Sequence, residues 1–175
     1  MWRVTGTNLS EWSVTDDQST ANLRPDDFET FYRVEGLRVY HALAMTLRDL
    51  DLAEDAAAEG LARTYQHWNR IQNYDSPAGW AYRVGLNWAT SWLRRLGRQR
   101  LQPASDLLHN DPQMFDPGLH LALMDLDVDQ RSVVVMRYLL DLSQEEIGRL
   151  LGVPVGTVKS RLARGLTRLR EVVEP

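Results

Sequence analysis

Residues 142–162 of this 175-residue chain read Leu-Ser-Gln-Glu-Glu-Ile-Gly-Arg-Leu-Leu-Gly-Val-Pro-Val-Gly-Thr-Val-Lys-Ser-Arg-Leu. Ser143, followed three residues later by Glu146, is a capping box, which marks the start of a helix. Gly152 supplies a residue that tolerates positive φ where that helix must end. A second helix is then anchored at i, i+3 and i+7 by Val155, Val158 and Leu162. The stretch predicts a helix-turn-helix.

The second helix of this motif has the side chains expected of a DNA-reading helix. Short polar and long basic residues point outward near its start, which is what base reading in the major groove requires. Arg161 and Arg168 are expected to hold phosphates, and the others to read base edges. A hairpin with a merely solvated basic face is the alternative, and the turn chemistry disfavours it. The predicted DNA contacts are Thr157, Lys159, Ser160, Arg161, Ala163, Arg164 and Arg168.

Helical patterns extend on both sides of the motif, and no strand-like alternation occurs. The fold class is therefore predicted to be all-α, with two small helical domains joined by a flexible linker and the helix-turn-helix in the C-terminal one. Three helices are predicted upstream, over Pro25 to Leu47, Asp49 to Trp68 and Ser76 to Leu96. Four are predicted downstream, over Leu119–Leu126, Asp129–Leu140, Ser143–Leu151 and Val155–Val173. The predicted divisions are an N-terminal extension (1–24), a first domain (25–98), a linker (99–118) and a second domain (119–175).

The charge is unevenly distributed along the chain, although the net charge is only -4. Residues 61–102 carry seven basic and one acidic side chain, and residues 147–175 carry six and two. Acidic blocks precede each of them, in residues 1–60 and 103–146. Two separate basic blocks favour two surfaces that face phosphates, although unevenly charged solvated faces are an alternative.

Composition and motifs argue against several classes of protein. Cysteine is absent, which excludes disulfides and thiolate metal sites. No apolar run is long enough for a membrane helix, and no secretory signal is evident at the N-terminus. The four histidines occur singly without ligand spacing, and no glycine loop for phosphates is present. We therefore expect no cofactor, no metal and no enzymatic activity.

The chain resembles the extracytoplasmic-function (ECF) sigma factors of bacteria, and in particular an actinobacterial subgroup. Leu126–Arg170, which contains the helix-turn-helix, resembles their region 4, and Phe28–Arg95 resembles their region 2. The resemblance implies a transcription initiation factor in which region 4 recognises the −35 promoter element. Region 2 would then bind core RNA polymerase, recognise the −10 element and assist its melting.

The resemblance also implies residue roles in region 2. The acidic stretch with Glu54, Asp55 and Glu59 matches the one that family members place against the β′ clamp helices of the polymerase. Residues implied at the −10 element are Ile71, Tyr74, Trp80, Tyr82, Arg83 and Asn87. The structural alternative for the tryptophans of this segment is a core position, because Trp80, Trp88 and Trp92 recur at multiples of four residues on one stripe of the helix.

Further partners implied by the resemblance are the β flap of the polymerase and an anti-sigma factor, in a cytoplasmic protein without membrane insertion. The sequence departs from the family pattern at Ala56–Ala58, where members commonly have Leu-Val-Gln, and at Ile71, where some place an aromatic residue. A stand-alone helix-turn-helix regulator and a degenerate, sigma-like protein-interaction module remain as alternatives.

Overall fold

The structure, a computed structural model, describes residues 25–96 and 117–173. Within these ranges every regular element is a helix, as predicted for an all-α fold, and none of the helices has the length and apolar character of a membrane span. The predicted extension (1–24) and residues 99–116 of the predicted linker lie outside the described residues. The helices are α1 (Pro25–Leu47), α2 (Leu50–Gln66), α3 (Trp68–Ile71), α4 (Pro77–Arg95), α5 (Pro117–Met124), α6 (Val128–Tyr138), α7 (Gln144–Leu151) and α8 (Val155–Val173).

Helix starts are fixed by side-chain oxygens that accept hydrogen bonds from backbone amides of the first turn. Asp49, Ser76 and Asp127 each accept from the N–H three residues later, at 2.8 to 2.9 Å. The predicted starts at Asp49 and Ser76 are confirmed. The helix predicted from Asp49 to Trp68 is instead two helices, because α2 ends at Gln66 and the short α3 begins at Trp68.

The helix-turn-helix is formed by α7 and α8. Ser143 Oγ accepts from the N–H of Glu146 at 3.2 Å, and the Glu146 carboxylate accepts from the N–H of Ser143 at 2.7 Å. Gly152 follows α7 in the left-handed region, at φ 65° and ψ 37°. Both the capping box and the glycine stop therefore occur where the sequence predicts them.

Helices α1–α4 form an N-terminal unit in which α2 and α4 approach very closely. A Cβ atom on Gly60 would lie 2.4 Å from the Ala81 carbonyl oxygen, and one on Gly85 would lie 2.4 Å from that of Ala56. Only glycine leaves room for backbone at that distance. Ala56 is fully buried at this contact, so the departure from the family pattern at this position places a small residue where the two helices meet.

A buried polar pair connects α1 with α4 in the same unit. The hydroxyl of Tyr82 lies 2.8 Å from Thr46 Oγ1, which donates to the carbonyl of Ala42 at 2.8 Å. Since Thr46 has only one hydroxyl proton, Tyr82 is the donor to Thr46. Burial raises the pKa of Tyr82, and this keeps the phenol neutral and able to donate.

Helices α5–α8 form a C-terminal unit organised around the buried side chain of Arg131. Its Nε donates to the Leu123 carbonyl at 2.9 Å and its Nη2 to that of Leu126 at 2.6 Å. These carbonyls belong to the end of α5 and the turn after it, where the bond to the next helical turn is lost, although Leu123 also accepts from the N–H of Leu126 at 3.2 Å. Arg131 thereby ties α5 to α6.

The two units pack against each other, whereas the sequence predicts a separate second domain. Arg131 Nη1 donates to the Thr46 carbonyl at 2.6 Å, and Arg38 Nε donates to the Leu139 carbonyl at 2.7 Å. Buried apolar residues of both units belong to one cluster. The described arrangement is therefore closed, with α1 and α4 against α6 and α7.

We predict that Gly85→Ala destabilises the chain by about 1–3 kcal/mol, because the new methyl group would overlap the Ala56 carbonyl. Gly156→Ala is the matched control, since nothing lies within 4 Å of its Cβ position. That variant should be neutral or slightly stabilising, by up to about 1 kcal/mol. Urea unfolding followed by circular dichroism measures both, and equal stabilities would contradict the close α2–α4 contact.

The capping box makes stability depend on pH through Glu146. Hydrogen bonds from Ser143 lower the pKa of the Glu146 carboxyl below its ordinary value of 4.5. A depressed pKa in the folded chain contributes stability above the ordinary value, and this contribution is lost as pH falls through the folded-state pKa.

Between about pH 7 and about pH 3, Glu146→Gln should therefore lose less stability than the unchanged chain, with a difference below about 1 kcal/mol. Glu145→Gln is the control, as this neighbour is exposed and does not form the box. The measurement is the urea midpoint at each pH, and parallel losses in all three proteins would refute the assignment.

Candidate nucleic-acid and protein-binding surfaces

The first two turns of α8 present a polar face on a helix that is anchored from behind. Val158 and Leu162 are buried, which fixes the rotation of α8 about its axis. The outward side chains then include Lys159, Ser160 and Arg164, all exposed. Ala163 is exposed as well, and Thr157 is partly exposed. The structure thus brings these five predicted contacts onto one accessible surface.

Arg164 keeps its side chain along this face. Its Nε donates to the Ser160 carbonyl at 3.2 Å and its Nη2 to Ser160 Oγ at 3.3 Å. These bonds are local and exposed, so they exchange readily for bonds to a ligand. The geometry suits a guanidinium that reads a base edge or a phosphate oxygen.

The other two predicted arginines of α8 are engaged within the C-terminal unit. Arg161 forms a largely buried ion pair with Asp129 of α6. Burial raises the pKa of Asp129, and the charge of Arg161 opposes that shift. Arg168 contacts Asp125 at 3.3 Å and Glu171 at 3.2 Å, and these pairs are exposed. Arg161 therefore orients α8 against α6, while Arg168 stays accessible.

The residues assigned to the −10 element separate into two groups. Tyr74, Trp80, Arg83 and Asn87 line a cleft of about 670 Å³ between the loop after α3, the outer side of α4, and α7. Arg83 is only 8% exposed, and burial lowers the pKa of its guanidinium. Asn87 Oδ1 is buried in the cleft wall.

Ile71 and Tyr82 do not reach this cleft. Both are buried in the N-terminal unit, Ile71 with 1% exposure and Tyr82 with none. Helical spacing explains the difference, because Tyr82 lies 200° around α4 from Trp80 and faces α1. A base contact by either side chain would require the core to open, so neither enters the proposal below.

The acidic residues of α2 lie beside an apolar groove between α1 and α2. Glu54 and Asp55 are exposed, and Glu54 lines the groove together with Ala58. Glu59 is paired with Arg63 at 2.5 Å. Among the predicted residues, Glu54 and Asp55 are therefore the accessible carboxylates.

The apolar pattern of the first two helices predicts that Tyr32 and Leu37 lie on the apolar side of α1 and that Tyr65 of α2 points inward. All three instead line this groove and are exposed, with exposed fractions of 55%, 64% and 45%. For Leu37 the reason is helical spacing, because Val39 is fully buried and a residue two positions away on a helix faces elsewhere. The structure thus adds an exposed apolar surface to the acidic one.

The described residues include no group of three or more histidine, aspartate or glutamate side chains arranged to hold a metal ion. The pockets found instead lie between helices, and one of them is lined by polar, basic and aromatic side chains together.

Two family profiles match the chain. The profile described as sigma-70 region 2 matches residues 31–99, and that of sigma-70 region 4 matches residues 118–169. The predicted −10 residues and the acidic residues of α2 fall in the first match. The polar face of α8 falls in the second.

Similar curated proteins are sigma factors. The RNA polymerase sigma-E factor of Streptomyces coelicolor is 33% identical over 150 residues, covering 83% of this chain and 85% of that protein. The ECF RNA polymerase sigma factor SigE of Mycolicibacterium smegmatis is 30% identical over 181 residues, covering 94% of this chain and 67% of that protein.

Among solved structures, the sigma factor RpoE of Bartonella quintana, in complex with the anti-sigma factor NepR, is similar with a TM-score of 0.69. The match covers 85% of this chain and 98% of that one at 21% identity, and it supports the helical fold. Fold, family profiles and curated relatives agree, and the chain belongs to the extracytoplasmic-function sigma factors of the sigma-70 family, which direct RNA polymerase to promoters.

Proposed function

We propose that this sigma factor divides promoter recognition between three surfaces. The polar face of α8 reads the −35 element, the cleft side of α4 holds the melted −10 element, and the α1–α2 groove docks on core RNA polymerase. The single observation that carries the proposal is the α8 face, where five predicted contacts are accessible on a helix whose other side is buried.

The −35 assignment rests on the chemistry of the α8 face. Arg164 and Lys159 are long donors suited to guanine edges, while Thr157 and Ser160 contact bases at short range. Arg168, held loosely by exposed ion pairs, is placed to contact a phosphate. Arg161 supports the surface indirectly, since its ion pair with Asp129 fixes α8 to α6.

The −10 assignment rests on the cleft beside α4. Trp80 and Tyr74 offer aromatic faces on which unpaired bases can stack, typically worth about 1–3 kcal/mol per base. Arg83 supplies positive charge and Asn87 an amide for base recognition. This combination of stacking, charge and an amide favours a single strand over duplex DNA.

The surface proposed to bind the polymerase combines negative charge with exposed apolar area. Glu54 and Asp55 lie next to the exposed groove that includes Leu37, Tyr32 and Tyr65. Such a surface fits an amphipathic helix with a basic edge, and the β′ clamp helices are the proposed partner. The β flap is the proposed partner of the C-terminal unit.

We also propose a regulatory partner and a cellular location for this chain. Two similar solved structures are complexes. One contains RpoE with the anti-sigma factor NepR, and the other contains CnrH with the cytosolic domain of CnrY. On that basis we include an anti-sigma factor among the partners. We propose that the chain performs no covalent chemistry and needs no cofactor. We also propose that it acts in the cytoplasm, where the polymerase acts.

In vitro transcription with core RNA polymerase tests the −35 assignment, with a library of upstream DNA regions from the encoding genome as template. Arg164→Ala should reduce the specific transcripts by about 10- to 100-fold, because one base contact is lost. Arg170→Ala removes the same charge further along α8, in its last turn. It should reduce transcripts no more than about threefold.

Equal losses in the two variants would contradict base reading by Arg164. Sequence-specific DNA binding that ignores the polymerase would instead support the stand-alone regulator. Polymerase binding without any transcript would support the interaction module.

For the polymerase surface, Glu54→Lys should weaken binding to core enzyme by at least about tenfold, since it places a like charge against a basic partner. Asp75→Lys makes the same change of charge at an exposed position of the N-terminal unit, at the cleft beside α4 and away from the groove, and should not weaken binding. Fluorescence anisotropy of the labelled chain titrated with core enzyme measures both affinities. Equal affinities would exclude α2 as the docking helix.

A further inference from the structure

We propose that Lys159 is a modification site, at which Nε-acylation by an activated acyl group switches off reading of the −35 element. The effect on DNA rests on the proposed function, which assigns the α8 face to base reading. The modification itself rests only on the lysine and its surroundings. It removes one contact with the promoter and leaves the chain able to bind core polymerase.

Lysine is used once in this chain. Of its 20 lysine and arginine residues, 19 are arginine and Lys159 is the exception. An arginine guanidinium stays charged and is not acylated, whereas a lysine amine is a nucleophile and a target of acetylation. The chain also has no cysteine whose thiol would compete for the acyl group. An acylating reagent therefore meets a single side-chain amine, and this amine lies in the proposed DNA-reading face.

The side chain of Lys159 is accessible and unengaged. The residue is exposed, and within the part of the chain that the structure describes no hydrogen bond or ion pair involves its ammonium. The neighbouring arginines differ, because Arg161 is paired with Asp129 and Arg164 is bonded to Ser160. Acylation of Lys159 therefore breaks no contact of the described fold, and the modified chain keeps its structure.

Small residues beside Lys159 leave room for the acyl group. The nearest neighbours of a helical residue are those three and four positions away. Two of these neighbours, Gly156 and Ala163, are exposed and carry no side chain or only a methyl group. A Cβ atom added to Gly156 would meet nothing within 4 Å. The other two neighbours, Val155 and Leu162, are apolar, so no carboxylate occupies these positions and competes for the ammonium.

The acyl donor is an acyl phosphate or an acyl thioester. The free amine of Lys159 attacks the carbonyl carbon of the donor and forms an amide bond. The bond from that carbon to the phosphate oxygen or the thioester sulfur breaks, and the leaving group takes the electron pair and one proton. Since the ammonium has also given one proton to solvent, the side chain becomes neutral.

The neutral side chain is a poor reader of DNA. An ammonium offers three donors and a positive charge to guanine edges and to phosphates, whereas the amide offers one donor and no charge. Arg164 on the same face stays charged, because its guanidinium is not acylated. The modification therefore weakens the −35 contact at one point of the face.

The proposed polymerase surface is not affected by this chemistry. The basic residue that lines the α1–α2 groove is Arg33, and the carboxylates of α2 do not react with the acyl donor. The acylated chain therefore still binds core enzyme through that groove. It competes with the unmodified chain for polymerase, although it reads the −35 element poorly.

Mass spectrometry of the full chain tests the site. The chain is incubated with acetyl phosphate in one arm and with acetyl-coenzyme A in the other, and peptide mapping separates acetylation of Lys159 from that of the α-amino group. We expect an acetyl group on Lys159, and the arm that reacts identifies the class of donor. Lys159→Arg is the control and should gain no acetyl group at this position. Absence of the modification at Lys159 in both arms would overturn the proposal.

A homogeneously modified chain tests the effect. Nε-acetyllysine is incorporated at position 159 with an expanded genetic code, and the chain is bound to core polymerase. Its affinity for a promoter fragment that the unmodified chain transcribes should fall by at least about tenfold. Its affinity for core enzyme should stay within about twofold of that of the unmodified chain. An unchanged promoter affinity, or an equal loss of affinity for core enzyme, would overturn the switch.

A relocated lysine is the matched control. Lys159→Arg combined with Arg170→Lys keeps the net charge and the single lysine, and position 170 is exposed in the last turn of α8. Nε-acetyllysine at position 170 of this variant removes the same charge away from the first turns of the helix. Relative to its own unmodified form, its promoter affinity should fall no more than about threefold. Equal losses for modification at 159 and at 170 would contradict a site-specific effect.

The proposed function and this inference fail separately. If the unmodified chain directs no transcription, the proposed function fails, while mass spectrometry still reports whether Lys159 accepts the acyl group. If the unmodified chain and the chain acetylated at Lys159 transcribe equally well, the proposed function stands and this inference fails alone.

Discussion

The buried guanidinium of Arg131 is the interaction on which the described arrangement depends. Its nitrogens bond to carbonyls of Leu123, Leu126 and Thr46, which belong to both units. Burial lowers its pKa to about 10, so the charge persists at neutral pH and must be compensated. Desolvating a charge is tolerated only when its donors are satisfied. One side chain therefore fixes the turn between α5 and α6 and the position of α1 against it.

From this centre the interface weakens toward its rim. The contact of Arg38 is partly buried and that of Arg149 with Asp75 is exposed. The outer contacts can exchange with water, while the inner contact of Arg131 fixes how the two units are aligned. The packing of the units can therefore be specific without being permanent. The same geometry places α7, one half of the helix-turn-helix, over the cleft beside α4.

The N-terminal unit combines tight packing with an unusually open outer face. Small residues bring α2 and α4 into backbone contact, as the buried Ala56 and Gly85 show. The alanine run that departs from the family pattern serves this contact on one side. Its third residue, Ala58, lines the groove on the other. There the small side chain of Ala58 leaves Tyr32 and Tyr65 accessible.

The sequence alone determined the elements whose signals are local. Ser143 with Glu146, the glycine stop at Gly152 and the caps Asp49 and Ser76 act within a few residues, and each lies where it was expected. What only the tertiary structure decided were facts that depend on helix rotation and on distant partners. These include the burial of Tyr82 and Ile71, the exposure of Leu37, and the packing of the units through Arg131 and Arg38. A hydrogen bond between residues 85 positions apart leaves no local pattern, and its donor alone does not reveal the carbonyl that it will find.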